Sequence, residues 1–153
     1  MSKVVENTYL IHNNPFIFTP LFVEFYKNYK GQNNDILLSY LILPLILHEE
    51  TRITLQKARI DSSIHTFCRK KGNFYGLPER VLEYKELTNK CLQNAIDNGY
   101  FVIDKNLKVN ITNNNLINEY SNNELLKASA NFVKIIRELD IVAIYRLLGV
   151  KKI

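Results

Sequence analysis

The chain has 153 residues, 20 Lys and Arg against 15 Asp and Glu, and a formal charge of +5. That length sets a prior of one domain and buries roughly 68–70% of the unfolded surface, so folding needs no metal or disulfide staple. The two cysteines, Cys68 and Cys91, are isolated, as in a reducing compartment. MSKVVENTYLIHNNP at the start holds no apolar signal core, which predicts a cytoplasmic protein.

Residues 1–13 read as a short strand or an extended arm. Asn14-Pro15 then opens a helix, with a capping Asn and Pro at the first helical position. Phe16, Phe18, Leu21, Phe22, Phe25, Tyr26 and Tyr29 follow at helical spacing down to Gly31, a stripe expected to pack in the core. Pro20 makes the first turn a candidate for irregular geometry.

The next stretch, DILLSYLILPLILHEETRITLQK from Asp35 to Lys57, is the core of the reading. Asp35 suits a helix cap, and Ile36 to Leu47 is apolar on every side, so it belongs inside the fold. It is too short to span a membrane, which takes roughly 20 apolar residues. Pro44 is expected to kink or split this helix. Glu49 to Gln56 reads as its continuation or as a second short helix. Asp61-Ser62-Ser63 caps a helix to about Lys71, and residues 14–71 form the helical core.

Gly72 to Gly76 is a turn carrying Phe74 and Tyr75, two aromatics expected to be exposed. Pro78 opens a helix predicted over 78–97, with Val81, Leu82, Leu87, Leu92, Ala95 and Ile96 buried and Asn98-Gly99 as its stop. Tyr100 to Ile103 and Leu107 to Ile111 flank Asp104-Lys105-Asn106, a β-hairpin. Asn113 to Asn115 is a polar linker. A helix from about Asn123 to Leu139 and a last one, Ile141 to Leu148, capped by Asp140 and ended by Gly149, complete residues 122–149. The fold class expected is mainly α with one small β-hairpin, a compact helical domain that is winged-helix-like over residues 77–111.

Chemistry is sparse. The five glycines are dispersed and no phosphate-binding loop is present. His12, His48 and His65 lack metal-ligand spacing, and Ser62, Ser63 and His65 lie on no strained nucleophile turn. The Glu83-Tyr84-Lys85 triplet sits mid-helix, whereas a nuclease needs strand-borne carboxylates. No catalytic residue, metal or cofactor is expected. The positive balance favours an acidic partner or nucleic acid. Arg80, Lys85, Lys90, Lys105 and Lys108 are the candidates for DNA contact if the hairpin acts as a wing. Ile141, Ile144, Tyr145 and Leu148, together with Phe74 and Tyr75, are the candidates for a partner-binding surface; the alternative for the first four is that they close the core.

Several pieces together resemble one family: Asn14-Pro15, Leu43-Pro44-Leu45-Ile46-Leu47-His48, Thr51-Arg52 with Leu55, Ser63-Ile64-His65, and Leu147-Leu148-Gly149-Val150. Their order and spacing over residues 13–150 are similar to the middle component of bacterial three-component ABC systems, the group that includes the small subunit of Lamassu-type defence complexes. Gln56 stands where that pattern often has Pro. The resemblance implies a non-catalytic subunit between an SMC-like ABC ATPase and an effector, often a nuclease, in defence against phage or plasmids. The alternative is a winged-helix DNA-binding regulator.

Overall fold

A computed structural model describes residues 13–70, 72, 75–112 and 123–153. The possible arm or strand at 1–12, Phe74 and the linker at 113–115 lie outside the described residues. The elements are α1 (Pro15–Asn28), a 3₁₀ turn (Asp35–Leu38), α2 (Ser39–Ile46), α3 (Glu49–Gln56), α4 (Ile64–Cys68), α5 (Leu77–Glu83), α6 (Lys85–Asp97), β1 (Phe101–Ile103), β2 (Val109–Ile111), α7 (Asn123–Ile136) and α8 (Ile141–Leu147). The protein is mainly helical with one small antiparallel sheet, as its sequence predicts.

Local chemistry sets the helix starts. The Asn14 side chain accepts from the Phe16 amide, Ser63 from Thr66 and Asp140 from Ala143. α1 runs on through Pro20 and packs against α6 and α7. Phe25, fully buried on α1, stacks on Tyr29 at 5.4 Å and meets Phe132 of α7 at the same distance. Tyr26 reaches Phe101 of the hairpin at 5.9 Å, joining three elements through one aromatic cluster. Phe16 departs from the stripe: it is 69% exposed in the first turn of α1.

α2 is the buried centre. Leu41, Ile42, Leu43, Leu45 and Ile46 have no exposed surface, and burial of each contributes about 1.5–3 kcal/mol before entropy. The helix neither splits nor ends at Pro44; α2 passes through it and stops two residues later, and α3 is a second helix beyond Leu47 and His48.

Asp35 does not cap this helix. Its carboxylate accepts from the Gln32 amide at 3.1 Å and, 74 residues on, from the Val109 amide at 2.7 Å. Tyr26 Oη donates to the Asp35 carbonyl, 2.7 Å away, and also lies 2.7 Å from Ser39 Oγ. Asp35 therefore ties the hairpin to the core.

The helix expected over 78–97 is two helices, α5 and α6, meeting at Tyr84. Val81, Leu87, Leu92 and Ala95 are buried as expected, but Leu82 is 56% and Ile96 37% exposed, because the break turns α5 and α6 to different neighbours. In the hairpin Phe101 faces Ile111 and Ile103 faces Val109 on the inner side, leaving Val102 outward. The turn closes with Leu107 at φ +56°, a left-handed conformation that costs a non-glycine residue roughly 1–2 kcal/mol. Two backbone bonds repay part of that: the Asn34 amide donates to Asn106 O and the Ile36 amide to Leu107 O. The tip of the hairpin thus rests on the 3₁₀ turn.

α7 contributes two buried polar groups. Ser129 donates to Leu21 O of α1 at 2.6 Å, and Asn131 donates to Leu55 O of α3 at 2.9 Å. Each adds a side-chain hydrogen bond to a carbonyl of a neighbouring helix, so both buried polar groups are satisfied and α7 is tied to α1 and α3.

Candidate partner-binding surface

Two places stand out where side chains meet at helix ends. The first is the junction after α2, whose last carbonyls have no intrahelical donors. Arg80 Nε donates to Pro44 O at 3.1 Å, and Arg52 Nη1 to Ile46 O at 3.2 Å. Thr51, fully buried, donates its hydroxyl to Leu45 O and lies 3.0 Å from His48 O. Arg80 also donates through Nη1 to Tyr75 O, securing the turn before α5. His48, between α2 and α3, is held below its usual pKa chiefly by burial and then by the positive charges of Arg80 and Arg52. Apart from Arg80 Nη2, which is buried without a hydrogen-bond partner, the polar groups here terminate or join helices.

The second place is α8. Its inner face is Ile141, Ile144 and Leu148, at 7%, 0% and 1% exposure. Tyr145 is half-buried and donates its hydroxyl to Leu37 O, and burial holds its pKa well above the tyrosine range. Gly149 takes φ +73°, the left-handed conformation that lets the Val150 amide return to Tyr145 O at 3.1 Å and carries buried Val150 back under the helix.

The outer side of α8 is open. Val142 is 66% exposed and lines two hollows. One, of about 460 Å³, is lined by Leu37, Val142, Tyr145, Arg146, Lys151 and Ile153. The other, of about 420 Å³, is lined by Gln32, Asn34, Leu37, Asp140, Val142 and Arg146. Sharing Leu37, Ile141, Val142 and Arg146, they adjoin as one groove, apolar toward Tyr145 and Ile153, polar toward Gln32, Asn34 and Asp140, with Arg146 and Lys151 as its cations.

The candidate residues divide between these places. Ile141, Ile144 and Leu148 close the core instead of forming an exposed strip; Ile141 and Tyr145 still contribute to the groove. Tyr75 is 85% exposed, on a different part of the surface. Of the DNA-contact candidates, Arg80 is committed to the α2 junction and Lys90 pairs with Glu86 at 3.2 Å. Lys108 lies over Gly31, where a Cβ would come within 2.6 Å of its Cε, while Lys85 and Lys105 are exposed. The motif residues Asn14, Pro15, Pro44, Thr51, Arg52 and Gly149 all act at helix ends. Sequence reasoning passed over Val142, although it lies off the face defined by 141, 144, 145 and 148, and that offset was its signal.

Among the described residues no three His, Cys, Asp or Glu side chains gather where they could hold a metal ion, and no helix is long and apolar enough to cross a membrane. Burial pushes the Cys91 thiol up to about 12 and raises that of Cys68, which keeps both sulfurs protonated and poorly nucleophilic.

No curated protein and no solved structure matches the chain. One family does, over residues 2–152: the ABC-three component (ABC-3C) system Middle Component 3. The match spans nearly the whole chain, and this chain belongs to the Middle Component 3 family of ABC-three component systems.

Proposed function

We propose that this protein is a non-catalytic adaptor that joins an SMC-like ABC ATPase subunit to an effector, a nuclease in the simplest case, within a cytoplasmic complex defending bacteria against phage or plasmids. Membership of a middle-component family supports a role inside a multi-component assembly. The observation that carries the reading is the groove on α8, where an exposed valine and an apolar floor lie beside a helix whose other face is fully used by the core. Exposed apolar surface of this kind is characteristic of sites that bind another protein. The test is co-expression with the products of the adjoining genes, followed by size-exclusion chromatography and mass analysis. Co-elution with an ABC ATPase and a third subunit is the expected result; elution as a lone monomer in their presence would overturn it.

The alternative, a winged-helix regulator reading DNA through 77–111, fits less well. A wing must stand clear of the body, and this hairpin leans on residues 34–36; of its five basic candidates, Arg80 and Lys90 already have protein partners. The remaining test is salt-dependent DNA binding that vanishes when Lys85 and Lys105 are reversed to Glu.

A further inference from the structure

We infer that the α8 groove receives an amphipathic helix of a partner protein, one whose apolar side chains are bordered by carboxylates. This rests on the adaptor reading and names the chemistry of what that reading leaves open.

The groove's shape argues for a helix. Exposed Val142 lines both hollows, so an occupant that fills the two packs over it and sets one side chain into each. Residues at i and i+3 or i+4 of a helix have that spacing, one turn apart. An extended strand would be held by backbone bonds to a sheet edge, and the groove offers the side chains of α8 and a 3₁₀ turn instead.

Its charges argue for carboxylates. Arg146 and Lys151 line the rim and are exposed, and Lys152 follows them. The ion pairs among the described residues, Lys27–Glu24 and Lys90–Glu86, do not involve any of these three. The neighbouring acid, Asp140, spends an oxygen on the Ala143 amide at the start of α8. Asp140 is the only acidic side chain lining either hollow, so the cations outnumber it and face solvent beside apolar surface. A second copy of this chain is a poor occupant, because a two-fold contact across the groove would set the same cations against one another.

The experiment uses the complex obtained by co-expression with the products of the adjoining genes. A photo-cross-linking benzoylphenylalanine replaces Lys152, exposed beside the rim and outside the residues that line the hollows, and the cross-linked peptide is identified by mass spectrometry. The expected product is a helical segment of another subunit with apolar residues three or four apart and Asp or Glu within a turn of them. In parallel, Arg146→Glu with Lys151→Glu should weaken retention of the partner about tenfold or more and reduce its sensitivity to salt. A cross-link to a basic segment, to DNA or to a second copy would overturn the inference, as would a double reversal that retains the partner fully. Failure of the wild-type chain to co-elute with the ATPase would overturn the adaptor reading itself; co-elution with unchanged binding by the double reversal would overturn only this assignment.

Discussion

The junction after α2 and the groove along α8 are built from similar parts, helix ends with arginines and apolar neighbours, yet they do opposite things. At the junction Arg80, Thr51 and Arg52 turn inward and occupy the last carbonyls of α2. At the groove Arg146 and Lys151 turn outward beside Val142. What separates them is whether the protein uses its own polar groups up. A cluster whose donors turn inward, all but the buried Arg80 Nη2 finding acceptors, stabilises the fold and has little left to offer a partner. An unsatisfied one beside exposed apolar surface contributes little to stability and is free to recognise something else. Pro44, Thr51 and Arg52 of the motif residues fall on the first kind of site and report architecture, whereas Gly149 ends α8 and also lines the proposed docking groove.

Substitutions on the two sides of α8 give the sharpest separation. Ile144→Ala empties a fully buried position and should cost about 2–5 kcal/mol in a denaturant melt. A cost near zero would mean that α8 is not packed against the core at all. At the junction, Thr51→Val keeps the shape but leaves Leu45 O without its donor, with an expected loss of about 1–3 kcal/mol. An unchanged melt there would place the motif threonine outside the fold's support and blur the distinction from the groove.

The hairpin supplies a smaller effect of opposite sign. Leu107→Gly relieves the left-handed strain but frees the unfolded chain, so a net stabilisation of about 0.5–1 kcal/mol is expected. A destabilised variant would show that the leucine side chain packs usefully despite its 48% exposure. The smallest effect concerns pH. His48 has a lower pKa folded than unfolded, so between that lowered value and the ordinary 6.5 the unfolded chain binds more protons. Stability linked to His48 is therefore complete above 6.5 and falls as pH drops through the folded value. His48→Gln should flatten this part of the melting profile; an identical slope in wild type and variant would remove the junction from the protein's acid response.

Much of this fold is legible locally. Asn14, Ser63 and Asp140 announce helix starts because each cap bonds an amide two or three residues away, and the hairpin is set by two β-prone runs around a polar turn. What escapes local reading involves distant partners. Asp35 looks like a cap until Val109, 74 residues on, arrives to use its carboxylate. Arg80 looks free for DNA until Pro44 O claims it across 36 residues. The break at Tyr84 carries no Pro or Gly to mark it. On α8 the apolar period correctly gathers Ile141, Ile144, Tyr145 and Leu148, but their period alone does not tell a core face from a docking face; only the packing of neighbouring elements does.

The most direct test of the division between a supporting junction and the proposed docking groove is Val142→Asp, followed both by thermal melting and by co-elution with the proposed ABC ATPase partner. Val142 lies in the first turn of α8, where an acidic residue suits the helix dipole, and an aspartate there sits one turn from Arg146. The account predicts stability within about 0.5 kcal/mol of wild type and loss of the partner. A variant that unfolds, or one that folds and still carries the ATPase with it, would contradict the account.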